Sequence, residues 1–400
     1  MNQLNFSIFM YTAQLLPELQ LRWEKMQTAI QAAEADALLI STNVNLYYAS
    51  GRVFMGYIYL PASGAPYFFV KRPVGLNGER VVYIRKPEQI ADYLTEHGIA
   101  MPKTLFLETD SVSYNEYIRL THIFSPEQVL NGTALIRAAR TIKTDYELNL
   151  IRKSGQQHAA LYRRVPSVYQ EGMTDLEFSI EIERQARLLG SLGIFRVFGP
   201  SMEIFMGSVV SGENADTPSP YDFGLGGEGL DPSLPVGCNG SIIKPGMTVL
   251  VDMGGNFTGY MTDMSRTYSR GNIDDLALKA HQTALEIQET VIAAALPGTA
   301  AADLYRIGTE IAAKAGLEAY FMGHHQQAGF IGHGVGIEIN EAPVIAPRSK
   351  DILKPGMVFA LEPKFVIPHV GAVGIENTFI VTESGCEKVT PGKEEIVSLT

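Results

Sequence analysis

Residues 247–267 read Met-Thr-Val-Leu-Val-Asp-Met-Gly-Gly-Asn-Phe-Thr-Gly-Tyr-Met-Thr-Asp-Met-Ser-Arg-Thr, and the fold turns on them. Val249, Leu250 and Val251 form a short apolar run of the kind that fills a buried strand. The run ends on an acid, Asp252. Gly254-Gly255-Asn256 is a turn signal, and a second strand-like run beyond it carries Asp263. This spacing predicts a hairpin that brings the two carboxylates together on one face. Two carboxylates in an apolar setting repel each other and lose hydration, so they need a cation, a proton or a cage of hydrogen bonds. Taken alone, the stretch also fits a solvated hairpin with one capping Asp and one turn Asp.

The same punctuation recurs downstream. Lys244-Pro245-Gly246-Met247 opens the first run, and Asp252 follows Lys244 by eight residues. Lys354-Pro355-Gly356-Met357 opens Val358-Phe359-Ala360-Leu361, and Glu362 follows Lys354 by eight residues. Pro-Gly suits the second and third positions of a turn. Glu362 has a distal partner of its own, Glu376, within Gly374-Ile375-Glu376-Asn377-Thr378. The repeat predicts an internal duplication that sets two acidic hairpins in similar surroundings. Between them lies Gly332-His333-Gly334-Val335-Gly336, a histidine held between glycines. Two Asp, two Glu and one His make a mixed oxygen and nitrogen ligand set. Such a set suits Mn, Co, Fe or Zn, and its richness in carboxylate suits two ions sharing bridging ligands.

Working outward, 400 residues allow two or three domains, and a 46% hydrophobic content is that of a globular chain. The net charge is −11 with no Lys/Arg run, which argues against nucleic acid and anionic membrane as partners. Cys238 and Cys386 stand far apart and form no CxxC, so a reducing compartment without a disulfide framework is expected. No Lys or Arg precedes Arg22, so the charged start of a secretory signal is missing, and no apolar run approaches the length of a membrane span. The expectation is a soluble cytoplasmic protein.

Residues 17–35 predict an amphipathic helix with Leu21, Met26, Ile30 and Ala33 on its buried side. Strands are expected at 36–40, 65–70, 81–84 and 104–107, with a helix over 88–97. That alternation predicts a small α/β domain. It contains no ligand cluster, and His97 and His122 read as surface histidines. The pattern breaks near 138–146, where a long helix carrying Leu148, Ile151 and Leu161 begins. The domain boundary is therefore placed at about residue 140, giving domains 1–140 and 141–400. A further helix starts at Thr174, with Glu177 at capping-box spacing and Leu176, Ile180 and Leu189 on its apolar side. Residues 211–240 form a Gly/Pro/Asp-rich stretch just before the first acidic hairpin, either a binding loop or a tolerated surface insertion. Two helices after Asp263 carry Leu276, Ala280, Ala284, Ile287 and Val291, then Leu304, Ile307 and Ile311, as core stripes.

These motifs together resemble the pita-bread metallopeptidase family, which includes methionine aminopeptidase, prolidase, aminopeptidase P and creatinase. The resemblance covers nearly the whole chain in the two-domain prolidase and aminopeptidase P arrangement. The second half carries it through the Asp252/Asp263 pair, Gly332-His333-Gly334-Val335-Gly336, Glu362-Pro363 and Gly374-Ile375-Glu376-Asn377. The first half is similar only in pattern, through Asp36-Ala37-Leu38-Leu39 and Asn45-Leu46-Tyr47-Tyr48-Ala49-Ser50-Gly51, and Arg140 to Glu147 resembles the family's interdomain junction. The implied fold is an α/β N-terminal domain followed by a duplicated α+β pita-bread domain. The resemblance implies that Asp252, Asp263, His333, Glu362 and Glu376 bind two divalent ions, with Asp263 and Glu376 bridging or supporting both. A water or hydroxide between the ions would be the nucleophile, with Glu362 as its proton acceptor and His333 beside it in the catalytic set. Thr378 and Arg266 would support these ligands. A homodimer is implied, with the N-terminal domain of one subunit near the active site of the other.

The departures from the family matter equally. A substrate-contacting histidine usually follows a Pro in the loop before the first Asp; Ser219, after Pro218, stands there. Another lies seven residues after the metal histidine, where this chain has Asn340, and a third four residues before it, where it has Gly329. The Arg that proline-specific members place two residues before the last Glu is Gly374. Histidine exchanges a proton near pH 7, whereas Asn and Ser do not do so usefully. Asn340 is left to hydrogen-bond a substrate carbonyl, and His324 and His325 are candidate replacements in substrate contact. Three readings stay open. The first is a dinuclear Xaa-Pro-type dipeptidase or aminopeptidase acting on a small peptide. The second is a metal-dependent amidohydrolase or lyase on a small non-peptide substrate, and the third is a catalytically inactive binding module.

Overall fold

The computed structural model describes residues 8–199, 202 and 205–400, and the chain divides into two compact units, Met1–Arg140 and Thr141–Thr400. In the first, six strands form a mixed sheet in the spatial order Val81–Tyr83, Tyr67–Arg72, Met55–Pro61, Ala37–Ile40, Thr104–Leu107, Gln128–Asn131. Ala37–Ile40 is wholly buried and pairs antiparallel with Met55–Pro61 and parallel with Thr104–Leu107. Ile90, Leu94, Leu120 and Phe124, from helices Glu88–Glu96 and Tyr114–Phe124, fill the core against this sheet, as expected of an α/β unit. The first helix, Leu16–Ala32, buries Leu19, Trp23, Met26 and Ile30, one stripe at helical spacing. Leu21, expected inside, is half exposed, and Ala33 lies beyond the helix end in solvent. Trp23 takes the inward position because its indole N–H donates to the Ala49 carbonyl at 2.7 Å.

The second unit repeats itself. One sheet has the order Val397–Ser398, Met261–Ser269, Thr248–Asn256, Gly207–Ser211. Helices Asp145–Val168 and Asp175–Leu188 cover it, through a core that includes Tyr162, Phe178, Ile182, Val249 and Val251. The other sheet has the order Glu341–Ile345, Gly332–Gly334, Val358–Leu361, Asn377–Thr382, Gly385–Lys388. Helices Asp275–Ala294 and Ala301–Lys314 join it in a core with Ala284, Ile287, Leu304 and Phe359. A separate ribbon pairs Lys364–Ile367 with Gly371–Gly374. In each half the repeated turn opens the strand that leads to the first acid. Met247 N–H donates to Lys244 O at 3.2 Å and Met357 N–H to Lys354 O at 3.1 Å, with Gly246 at φ +90° and Gly356 at φ +84°. A positive φ at the third turn position is why glycine follows proline in both copies.

Two local expectations need correction. The helix Asp175–Leu188 has the predicted capping box between Thr174 and Glu177, but its buried face is Phe178, Ile182 and Ala186. Ile180 is half exposed, and Leu176 and Leu189 are only partly buried. The hairpin turn does not fall at Gly254-Gly255-Asn256 either. Those residues continue the strand Thr248–Asn256, and the chain reverses over residues 257–260, where Gly259 has φ +86°. Gly254 and Gly255 are glycines because a Cβ at either would collide with the ring of Phe195 or of His158. They mark close packing rather than a turn.

Candidate functional site

The hairpin register sets Asp252 opposite Ser265 and Asp263 opposite Gly254, which leaves both carboxylates on one face, two positions apart. Strand Gly332–Gly334 runs between Glu341–Ile345 and Val358–Leu361, and His333 sits opposite Ala360. Glu362 follows that second strand directly. Glu376 is brought to the first hairpin by a single bridge to Ser265. The five residues therefore come from both halves of the duplication and meet at one point. His333 Nε2 lies 3.3 Å from Glu362 Oε1 and 3.8 Å from Asp263 Oδ2.

Backbone and side-chain clamps fix this arrangement. Thr378 Oγ1 accepts from Asp263 N–H at 2.7 Å and donates to Asp263 O at 2.9 Å. Ser265 Oγ donates to Glu376 Oε2 at 2.6 Å. The buried Arg266 guanidinium donates to the carbonyls of Ser265 and Glu376, each at 2.8 Å, and to Asn377 Oδ1 at 2.9 Å. Thr378 and Arg266 thus hold the strands that carry two of the acids.

A residue that the motif reading passed over sits among them. Lys364 is fully buried, and its Nζ lies 2.7 Å from Asp252 Oδ2, 2.7 Å from Glu362 Oε2 and 3.2 Å from Glu376 Oε2. Two signals in the sequence could have found it. It is a cation in the otherwise apolar run Lys364-Phe365-Val366-Ile367. It also falls two residues after the terminal acid of the second repeat, where the first repeat has Gly254 after Asp252.

The electrostatics follow from burial in a crowd of like charges. Burial lifts the Asp263 carboxyl well above its usual range, and Glu376, Asp252 and Glu362 add to the effect. Burial also raises Glu376, to about 8, with Lys364 offsetting part of the rise and Glu362 and Asp252 reinforcing it. Burial acts the same way on Glu362, but Lys364 and His333 outweigh it and hold that acid down at about 2. His333 is pushed down by burial, yet its contact with Glu362 and the charge of Glu376 lift it to about 9. Burial opposes the Lys364 charge as well; Asp252, Glu362 and Glu376 overcome it and keep the ammonium well above the ordinary lysine range. Two of the four acids, Asp263 and Glu376, are thus pushed toward the protonated form, first by burial and then by repulsion from the neighbouring carboxylates. A divalent ion relieves that repulsion.

Among the described residues three groups of side chains present ligand atoms within 4.8 Å of one another: Asp263, His333 and Glu376; Asp252, Glu362 and Glu376; and, away from the four acids, Asp216, His324 and His325. The first group fits a divalent ion, with two carboxylates and an imidazole converging. The second already surrounds the Lys364 ammonium.

Above the cluster opens a cavity of about 340 Å³ walled by Phe195, Phe198, Phe223, Phe330, Ile339 and Val344. The 211–240 stretch supplies part of this wall through Asp222, Phe223, Gly224 and Leu225, so it is a site loop and not a passive insertion. Gly224 lies so close over the cluster that a Cβ there would strike the Glu362 carboxylate and come within 3.1 Å of Lys364 Nζ.

The predicted substrate residues fare differently. Asn340 lines the cavity, but its amide is committed: Oδ1 accepts from Phe198 N–H and Nδ2 donates to Phe198 O, both at 2.8 Å. These two bonds tie it to Phe198, another residue of the cavity wall. Ser219, His324 and His325 are displaced from the carboxylates. Ser219 Oγ donates to Pro235 O at 2.9 Å. His324 and His325 both turn to Asp216, at 2.8 and 3.0 Å. Ser219 and His324 border a smaller space that shares Asp222, Phe223, Gly224 and Leu225 with the cavity but none of the four acids. Loop packing around Asp216 thus removes them from the site. Gly329 is exposed, and Gly374 pairs across the ribbon with Lys364. In the N-terminal unit a wider cleft of about 830 Å³ is lined by Tyr57, Lys71, Arg72 and Glu116 among others, and holds a single acid.

Comparison with known proteins places these features. Residues 149–383 match the family model of metallopeptidase family M24, and residues 22–142 match the creatinase/prolidase N-terminal domain. A Xaa-Pro dipeptidase of Pyrococcus furiosus is 26% identical, with 94% of this chain and 99% of that protein aligned. An uncharacterised peptidase of Bacillus subtilis is also 26% identical, over 95% of this chain and all of that protein. Among solved structures, the prolidase from Pyrococcus horikoshii superposes with a TM-score of 0.76 at 23% identity, covering 94% of this chain and 99% of that one. The Xaa-Pro dipeptidase from Bacillus anthracis gives 0.78 at 24%, covering 95% and 100%. The shared architecture is the two-domain pita-bread fold.

Proposed function

Because the chain belongs to metallopeptidase family M24, we propose that it is a metal-dependent hydrolase of short peptides, with Xaa-Pro dipeptides as its substrate class. One observation carries the reading: four carboxylates and an imidazole converge on the floor of a small apolar cavity. Asp263, His333 and Glu376 would hold a divalent ion, and a mixed oxygen and nitrogen set of this kind accepts Mn, Co, Zn or Fe. When bound, such an ion supplies Lewis acidity to the scissile carbonyl and lowers the pKa of an attacking water.

The rest of the chemistry belongs to the chain. Glu362, on the cavity floor, is the carboxylate that would accept the proton the water gives up. His333 Nε2, 3.3 Å from Glu362 Oε1, is the nitrogen that would face the ion, since Nδ1 is turned to the Gly334 carbonyl. Phe195, Phe198, Phe223 and Phe330 exclude water and offer flat apolar faces to a proline ring. The volume of about 340 Å³ suits a ligand of dipeptide size. The relatives called Xaa-Pro dipeptidase and prolidase support this substrate class.

The test strips the protein with a chelator, reloads it with Mn, Co or Zn, and assays Xaa-Pro dipeptides against longer Xaa-Pro peptides. Metal-dependent cleavage of the dipeptides is expected. Retention of full activity by the stripped protein would overturn the metal dependence. Metal uptake without cleavage of any peptide would overturn the substrate class in favour of a small non-peptide amide.

A further inference from the structure

Family membership and the ligand set both point to two metal positions, and Lys364 contradicts one of them. Its Nζ is within 3.2 Å of one oxygen from each of Asp252, Glu362 and Glu376. These are the same three residues that form the second candidate ligand group. An ion bound to them would need the void that the ammonium fills, since carboxylate–metal distances of about 2.0–2.2 Å place its centre among the same oxygens.

The ammonium has no easy way out. Lys364 is completely buried in the ribbon, its carbonyl accepts from Met322 N–H at 2.8 Å, and its stem runs along Gly374 on the paired strand. A Cβ at Gly374 would come within 3.0 Å of Lys364 Cγ. It would also meet Pro363 O at 2.6 Å and Lys364 Cα at 2.7 Å, so the two ribbon strands close tightly over the base of the lysine. Gly224 closes the site from the other side, where a Cβ would come within 3.1 Å of Nζ.

We propose that the Lys364 ammonium is a resident cation standing in for one of the two metal ions, so that the protein works with one divalent ion, held by Asp263, His333 and Glu376. This rests on the metallopeptidase reading above. The consequence is an asymmetric centre. An ammonium fixes and neutralises Asp252 and Glu362, but it offers no open coordination position for water or substrate. Only the Asp263–His333–Glu376 side then acts as a Lewis acid, and Glu362 is held by Lys364 instead of by a metal.

The experiment counts metal. Stripped wild type and Lys364→Gly are equilibrated with excess Mn, freed of unbound metal, and measured for Mn per chain by mass spectrometry, with near-UV circular dichroism as the check on folding. The expected result is one Mn per chain in wild type and two in the glycine variant. Two Mn in wild type would overturn the inference and leave the hydrolase reading standing. One Mn in a folded Lys364→Gly would also overturn it, because the lysine would not be what excludes the second ion. No Mn in wild type would overturn the metallopeptidase reading itself. If the glycine variant fails to fold, the wild-type count decides alone, and Lys364→Met provides the second readout. It is expected to bind at most one ion and to melt below wild type, since three carboxylates lose their cation while the stem still fills the void; a second ion in that variant would count against the inference.

Discussion

Asp263 shows how single residues set this site. Its backbone N–H and carbonyl are both engaged by the Thr378 hydroxyl, which reaches across from the other half of the duplication. Replacing Thr378 with Val keeps the shape but leaves two buried backbone groups unpaired. Each such group costs about 1–3 kcal/mol, so a lower melting temperature and weaker Mn binding are expected. An unchanged melting curve would show that the hydroxyl is dispensable. Asp263→Asn tests the acid itself and is expected to abolish metal-dependent turnover while the fold survives. His158 is a second residue with a measurable consequence. Burial, with Arg266 adding to it, pushes its imidazole from the ordinary 6.5 down to about 3. The unfolded chain therefore takes up the proton first. His158's contribution to stability is complete above the unfolded pKa and drains away as pH falls from there toward the folded value. In a His158→Gln variant that loss is absent, so the stability difference between wild type and variant should narrow by roughly 2–3 kcal/mol between pH 7 and pH 4.5. A difference independent of pH would contradict the assignment.

At the scale of elements, the strands and acids of the second unit were legible because a rule of local chemistry repeats. Lys-Pro-Gly-Met demands a turn with positive φ at its glycine, and the apolar run after it demands burial. The position of the hairpin turn was not legible. Gly254 and Gly255 look like turn residues in one dimension, yet they are glycines because Phe195 and His158 press on that strand from elsewhere in the chain. The helix faces erred for a related reason. Ile180 and Leu21 satisfy an apolar spacing, but tertiary packing selected the adjacent stripes. Lys364 escaped because a lone Lys is ordinarily a solvated residue, and only the three-dimensional meeting of Asp252, Glu362 and Glu376 makes it a site residue. A substitution tests the packing argument directly. Gly254→Ala places a methyl group against the Phe195 ring, which forms part of the cavity wall. The expected effect is a raised KM with kcat less affected; an unchanged KM would show that this wall does not touch substrate. Asn340 belongs at this scale as well. Because its amide clamps both backbone groups of Phe198, Asn340→His should lower activity by loosening the wall, even though histidine is the residue expected there by family pattern.

The whole molecule joins an α/β unit to a duplicated unit whose two halves each bring acids to a common centre. The general architecture followed from alternation and repetition alone. The cavity wall did not, since Phe195 and Phe198 share one loop while Phe223 and Phe330 come from two others far along the chain. No helix among the described residues is long and apolar enough to cross a membrane. A homodimer, implied by the resemblance, is expected to show by light scattering as a particle of twice the 43.8 kDa chain mass, and a single-chain mass would contradict it.

The most direct measurement is an anomalous difference map from crystals soaked in Mn and recorded near the Mn absorption edge. The account predicts one peak, bounded by Asp263, His333 and Glu376, with Lys364 still inserted between Asp252 and Glu362. Two peaks with Lys364 displaced, or a single peak among Asp252, Glu362 and Glu376, would contradict it.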